Sequence, residues 1–164
     1  MRYVCLLCVL LLSNPSAALA RDALRPLDRL AAETFARAIT ESPTVRALAG
    51  AIEGTNLIVH IETTRDLPAG IIGTTRFVAS RGGYRYVRIA LAVELSPALR
   101  IATLGHELQH AREVAESTAG DADAIRQLFQ QAGTRDGKYF DTVAAQRIGK
   151  RVLGELRQVA MAAQ

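Results

Sequence analysis

Apolar side chains recur at helical spacing in five stretches of the chain, two before residue 55 and three after residue 97. Ser42 and Ser96, each followed by proline, and Asp121 mark three helix starts. Serine and aspartate cap free backbone N–H groups, and proline suits the first turn. The pattern predicts helices over about residues 27–40, 43–53, 98–116, 121–131 and 141–160, the last beginning at Asp141 or Thr142.

Between these helices, shorter apolar stretches run together or alternate as strands do. Residues 57–61 form one run, and segments 74–80 and 84–91 flank Arg81-Gly82-Gly83, which is typical of a β-hairpin turn. Polar side chains on both faces of the second arm suggest a hairpin at the edge of a small sheet. Residues 65–73 and 133–138 are expected to be loops. This order of helices, strands and helices predicts an α+β fold with segregated elements.

The first twenty residues have the layout of a secretory signal peptide. Arg2 precedes an apolar run at residues 4–12, and Ala18-Leu19-Ala20 is a small-x-small cleavage site. The run is too short for a stable membrane anchor. We therefore expect residues 1–20 to be removed and residues 21–164 to form a single exported domain, periplasmic or extracellular. The alternative is a buried N-terminal helix.

Composition excludes an intrinsically disordered chain, since 49% of the 164 residues are hydrophobic and 22% are charged. Both cysteines lie in the first eight residues, so the expected mature chain depends on its core, or on its core and a metal. The formal charge is +4, but the basic residues are scattered, which argues against a nucleic-acid partner. Arginines at positions 76, 81, 85 and 88 crowd the hairpin. They suit an acidic substrate or an envelope polyanion, or simply a solvated edge guarded by charge.

The candidate chemistry lies in the long helix, where His106, Glu107 and His110 form an H-E-x-x-H motif. Two histidines at i and i+4 project from one helix face and can bind one Zn²⁺, and the glutamate beside them can act as a general base. The apolar stripe of the same helix lies roughly opposite the histidines, so it can face the sheet while they face a cleft; it comprises Ile101, Leu104, Leu108, Ala111 and Ala115. The alternative is a solvated helix face.

A third protein ligand is needed, and Asp141 is the preferred candidate. It precedes Ala145 by four residues and so shares the inward face of the predicted last helix. The alternative role for Asp141 is a helix cap, and the alternative ligand is Asp136, in a turn. Glu113 is on the histidine face but more than a turn beyond the expected metal, so we expect it to contact a ligand or solvent. His60, in an apolar strand, is expected to be a core or edge histidine.

The segment GHELQHAREVAE at residues 105–116, with Tyr139-Phe140-Asp141-Thr142, resembles the zincin metallopeptidases. It is similar to small bacterial exported proteins and to minimal gluzincins, in which a glutamate of a C-terminal helix is the third ligand. Asp141 stands at that position. The resemblance implies a zincin-like fold, Zn²⁺ held by His106, His110 and an acid, and hydrolysis of a peptide or protein with Glu107 as general base.

A weaker similarity links residues 133–139 to the G-T-x-D-x-x-Y segment of aspzincins. It keeps Asp136 as an alternative ligand and implies that Tyr139 donates a hydrogen bond in the transition state. Two other functions stay open. A non-catalytic zincin-fold binding module would have no use for Glu107. A structural or storage metal site would need a fourth side-chain ligand, and none is evident near the motif.

Overall fold

The computed structural model describes residues 23–136 and 139–162, with residues 134–136 and 139–140 described by their backbone alone. The predicted signal peptide, residues 1–20, lies outside the described residues. The described chain is α+β. Its helices are α1 (Arg29–Glu41), α2 (Pro43–Ile52), α3 (Pro97–Glu116), α4 (Ala122–Ala132) and α5 (Val143–Ala162). Its strands are β1 (Leu24–Pro26), β2 (Leu57–Thr64), β3 (Gly73–Arg81), β4 (Tyr84–Ala92), β5 (Gly133–Asp136) and β6 (Tyr139–Thr142).

The predicted helix starts at Ser42, Ser96 and Asp121 are confirmed. Each side chain accepts a hydrogen bond from the backbone N–H three residues on. The first helix begins two residues later than predicted, because Asp28 caps it by accepting from Ala31 N–H. Thr142 does the same for α5 by accepting from Ala145 N–H at 3.1 Å.

The main sheet has the strand order β1-β2-β4-β3 and is mixed rather than antiparallel. Strands β1, β2 and β4 are parallel, and β3 is antiparallel to β4. The predicted segregation of elements is therefore wrong at the N-terminus, where three residues with no readable period form β1. The hairpin is confirmed, with Gly82 and Gly83 both at positive φ. Only its first arm, β3, is an edge strand, since β4 lies between β2 and β3.

One face of this sheet packs against α3 and forms the core. Its fully buried side chains include Val59, Ile61, Val87 and Ile89, which share a cluster with Leu104 and Leu108 of α3. Helix α3 is buried on further sides as well, because α1, α2 and α5 also pack against it. The approach of α5 depends on Gly105, where an added Cβ would lie 2.8 Å from Val152 Cγ2. Helix α3, which carries the H-E-x-x-H motif, thus lies at the centre of the described fold.

Residues 133–136 form β5, paired antiparallel with β6, so the prediction of a loop over 133–138 is wrong for these four residues. Four-residue strands are too short to show an alternation in sequence. The pairing requires a glycine at its start. A Cβ on Gly133 would lie 2.6 Å from the backbone oxygen of Asp141 and 2.9 Å from that of Phe129.

Arg85 explains why polar residues fall on both faces of β4. Its side chain is 9% exposed and points to the helical face. Its guanidinium donates hydrogen bonds to the carbonyls of Val114 and Ala115, at the C-terminal end of α3. It also donates to the carbonyls of Ser117 and Ala119 and to the side chain of Asn56. A buried cation thus closes the end of α3, where the regular i to i+4 hydrogen bonds of the helix stop.

Candidate metal centre

His106 and His110 lie one turn apart on α3 and project to the same side. Their ring centroids are 5.0 Å apart, and the rings are nearly perpendicular, at 73°. His106 is partly exposed, whereas His110 is buried and packs edge-on against Phe129 of α4, with centroids 5.0 Å apart. The histidine face of α3 is therefore the floor of a cleft and not an open solvated surface.

Asp141 reaches both histidines from β6. Its Oδ1 lies 3.3 Å from Nε2 of His106 and 3.6 Å from Nε2 of His110. The expectation that the C-terminal helix supplies this carboxylate is wrong, because α5 begins at Val143 and Thr142 caps it. The strand pairing of β6 with β5, together with the packing of α5 on α3, carries Asp141 to the histidines.

The three ligand atoms of His106, His110 and Asp141 lie within 4.8 Å of one another, so this group can hold a metal ion. A tetrahedral site with metal–ligand distances of about 2.0–2.1 Å has ligand–ligand separations of about 3.3–3.4 Å. The two nitrogen–oxygen distances, 3.3 and 3.6 Å, are close to that spacing. Two imidazoles and one carboxylate suit zinc and also other divalent transition metals, so the donor set alone does not select zinc.

Glu113 contacts a histidine rather than solvent. Its Oε2 lies 3.1 Å from Nδ1 of His110, and its Oε1 accepts from the Thr142 hydroxyl at 2.8 Å and from Gln109 Nε2 at 3.2 Å. Burial raises the pKa of Glu113, but these hydrogen bonds outweigh it and hold the pKa below the usual value. The ionised carboxylate favours a proton on Nδ1, which leaves Nε2 of His110 free to bind a metal.

Glu107 is 5% exposed and is held by the edge strand β3. Thr75 Oγ1 lies 2.8 Å from Oε2 of Glu107 and 3.1 Å from its backbone oxygen. Gly73 allows this approach, since a Cβ there would lie 2.8 Å from Oε1 of Glu107 and 2.5 Å from Thr103 Cγ2. Sequence reasoning missed Thr75 and Gly73. Both contacts span about 30 positions, and no local pattern signals them.

Three carboxyl groups, those of Glu107, Glu113 and Asp141, act on the histidines of the centre. Burial lowers the pKa of His110, but hydrogen bonds to Asp141 and Glu113 and the charge of Glu107 raise it more, to about 9. For Glu107 the largest effect is burial, which raises its pKa despite the neighbouring histidines. An arrangement that attracts a cation to this extent favours either a proton or a metal ion at the histidines.

A cleft opens on each side of the centre. One, of about 460 Å³, lies between β3 and α4 and is lined by apolar side chains that include Phe77, Ile125 and Phe129. The other, of about 360 Å³, lies between the start of β3 and α5 and is lined by Ile72, Leu99 and Leu153 among others. Both clefts reach His106, Glu107 and Asp141. A ligand that filled both would pass directly over the centre.

Of the remaining candidates, His60 lies away from the centre, and the side chains of Asp136 and Tyr139 fall outside the described ones. Asp136 and Tyr139 are paired positions of β5 and β6, but their side chains fall outside the described ones. His60 is on the face of β2 that points away from α3, where its ring lies 6.2 Å from that of Tyr86.

Comparison with models of known protein families, with curated proteins and with solved structures found no match to this chain.

Proposed function

We propose that this protein is an exported zinc-dependent peptidase with a zincin-like fold. One observation carries the proposal. His106, His110 and Asp141 offer ligand atoms within 4.8 Å of one another, next to the buried carboxylate of Glu107 and between two apolar clefts. Three protein ligands that leave a position open, beside a general base, are what hydrolysis at a metal requires.

The edge strand β3 supports a peptide or protein as the substrate. Within the described residues it pairs only with β4, so its other edge can pair with an extended chain. Residues 73–77 of this strand line the larger cleft. A peptide added along β3 would place its backbone over the centre and its side chains in the two clefts.

Each side chain then has a distinct task. Zinc held by His106, His110 and Asp141 would supply Lewis acidity, polarising the scissile carbonyl and lowering the pKa of water. Glu107 accepts a proton from the attacking water and passes it to the leaving amine. Burial raises its pKa and thereby strengthens it as a base. Thr75 orients its carboxylate. Tyr139, two residues before Asp141 on β6, is proposed to donate a hydrogen bond to the developing oxyanion.

Metal analysis and peptide hydrolysis test this function together. The purified protein is assayed for bound zinc and for cleavage of a mixed peptide library, alongside the variants Glu107→Gln and Glu116→Gln. Glu116 is the matched control, because it lies on the same helix but is exposed and paired with Arg112. We expect zinc in all three proteins and a loss of cleavage of at least a hundredfold in Glu107→Gln alone.

The other outcomes contradict parts of the proposal. If no metal binds to any of the three proteins, the peptidase is excluded. Zinc and peptide binding without cleavage by the parent protein would indicate the non-catalytic binding module. Equal cleavage by the parent and Glu107→Gln would remove Glu107 from the mechanism.

A further inference from the structure

Four basic side chains lie in a single row across the main sheet, one on each strand. Strand register pairs Arg25 with His60, His60 with Arg88, and Arg88 with Arg76. Cross-strand partners point to the same face, so the four side chains share one face of the sheet. We call these four residues the basic row. With neighbouring strands about 4.8 Å apart, it spans roughly 14 Å.

The basic row is on the face of the sheet that points away from α3. The side chains that alternate with it along β2 and β4 are the fully buried Val59, Ile61, Val87 and Ile89. On the row's own face, Arg76 and Arg88 are exposed and His60 is half-buried. The core lies on the other side of the sheet, although Ile58, Thr74 and Ala90 on the row's own face are also buried.

Like charges directly opposite one another weaken a sheet, so the row does not serve folding. Among the described residues, Glu62 pairs with Arg88 at 3.8 Å, and Asp66 lines a groove together with Arg76 and Arg88. Burial and the charges of Arg25 and Arg88 lower the pKa of His60, which is therefore neutral at pH 7. Arg76 and Arg88 are the exposed cations of the row, and Arg81 extends the positive charge towards the hairpin turn, opposite Tyr84.

The apolar side chains of this face favour a membrane surface over other anionic partners. Val78 and Tyr84 are 47% and 46% exposed, at the bulge of β3 and at the hairpin turn, so both lie between the basic row and the end of the hairpin. A protein partner needs an apolar centre with a polar rim, whereas here the centre is charged and the exposed apolar side chains lie together at the hairpin end. Successive nucleic-acid bases need several free rings on which to stack. Tyr86 at the centre of this face packs against His60, which leaves Tyr84 at the turn as its exposed ring among the described residues.

We propose that the open face of the sheet binds an anionic phospholipid surface, with the basic row contacting headgroup phosphates and Val78 and Tyr84 entering the interfacial region. Arginine guanidiniums form paired hydrogen bonds with phosphate, and tyrosine is enriched at the membrane–water interface. None of the helices in residues 23–136 and 139–162 is long and apolar enough to span a membrane. The association is peripheral and does not depend on the proposed hydrolysis.

Vesicle sedimentation tests this surface. The full chain is expressed, and its purified product is mixed at neutral pH and low salt with phosphatidylcholine vesicles, with or without about one-third phosphatidylglycerol. The double variant Arg76→Gln/Arg88→Gln is compared with Arg151→Gln/Arg157→Gln, which removes the same charge from exposed positions of α5. Heparin and single-stranded poly(dT) are parallel probes. Any part of residues 1–22 that the product retains is the same in all the proteins and contributes equally.

We expect binding to the anionic vesicles only, weakened by added salt and about 30-fold weaker in Arg76→Gln/Arg88→Gln. Each arginine near an anionic surface contributes about 1 kcal/mol, a factor of about five. The α5 double variant should bind as the parent does. Thermal unfolding should show no loss of stability in either variant, because removing Arg76 and Arg88 relieves repulsion.

Four results would contradict the proposal. The first is an absence of binding to anionic vesicles, and the second is equal weakening by the two double variants. The third is tighter binding to heparin or poly(dT) than to vesicles, which would assign the face to a soluble polyanion instead. If Arg76→Gln/Arg88→Gln unfolded at a lower temperature, the row would have a structural role, contrary to the proposal.

Discussion

Glu113 links His110 to the strand that carries Asp141. Its Oε2 lies 3.1 Å from Nδ1 of His110, and its Oε1 accepts a hydrogen bond from Thr142, the residue after Asp141, at 2.8 Å. One carboxylate thus orients a histidine and holds the β6–α5 junction against α3. Two of the three candidate ligands depend on it for their position.

Replacing Glu113 with glutamine should weaken zinc binding by about 10- to 100-fold, the usual effect of losing such a partner of a metal-binding histidine. The amide cannot serve as a charged acceptor for both Nδ1 of His110 and the Thr142 hydroxyl. Competition with a fluorescent chelator measures the affinity. Glu116→Gln on the same helix is the control and should bind zinc as the parent does. Unchanged affinity in Glu113→Gln would show that the contact does not organise the centre.

Gly73→Ala should separate β3 from α3. The added Cβ would meet Thr103 Cγ2 at 2.5 Å and Glu107 Oε1 at 2.8 Å, so the strand or the carboxylate must move. We expect a loss of about 1–3 kcal/mol in the free energy of unfolding, measured with urea. Gly50→Ala is the contrast. Its Cβ meets nothing within 4 Å on α2, so helix propensity should stabilise the protein by about 0.5–1 kcal/mol. Equal effects of the two substitutions would contradict the close approach at Gly73.

Arg85→Lys should cost about 2–3 kcal/mol although it keeps the charge. The guanidinium donates to four backbone carbonyls and to Asn56, and an ammonium has too few donors and the wrong shape to replace it. Urea unfolding measures the loss. Arg112→Lys serves as the control, because the pair that Arg112 makes with Glu116 on the same helix is exposed, and its replacement should change stability by less than about 0.5 kcal/mol. A similar small effect at Arg85 would mean that the end of α3 needs no such cap.

Asp28 should make stability depend on pH in the acid range. Burial raises its pKa, but hydrogen bonds from Ala31 N–H and from the N–H and hydroxyl of Thr63 together lower it by more. The pKa of Asp28 is therefore below its usual 3.8. The carboxylate is favoured in the folded state, so its contribution is present above about pH 3.8 and is lost as the pH falls through the lower folded value.

Asp28→Asn should therefore destabilise the protein by about 1 kcal/mol at pH 7, because an amide N–H₂ would face the N–H of Thr63. The difference in the free energy of unfolding between Asp28→Asn and the parent should shrink as the pH falls below 3.8. Urea unfolding at several pH values measures it. Asp121→Asn is the control, since asparagine can still accept from Ala124 N–H at that exposed cap. A pH-independent difference at Asp28 would rule out the carboxylate charge as its source.

Local sequence signals predicted the helices closely, but they could not predict features that depend on contacts between distant segments. Ser42, Ser96 and Asp121 were found from sequence because a cap acts on the next turn of its own chain. Strands of three or four residues, such as β1 and β5, show no alternation, and the parallel pairing of β2 with β4 leaves no mark in either segment. The direct contacts of Thr75 with Glu107 and of Glu113 with Thr142 join residues about 30 positions apart.

By itself, the sequence determined that His106, Glu107 and His110 share a helix with an apolar stripe, because helical periodicity is a property of neighbouring residues. The sequence also indicated Asp141 as a candidate metal ligand, but on the ground that it lies on the inward face of the last helix. The residue lies in strand β6, before that helix begins. Only the tertiary structure decided that this carboxylate arrives from a strand and that Glu113 braces it. Strand register, which no local pattern encodes, also gathered arginines scattered along the chain into one row. Such relationships depend on how distant segments pack, and packing is settled by the whole chain at once.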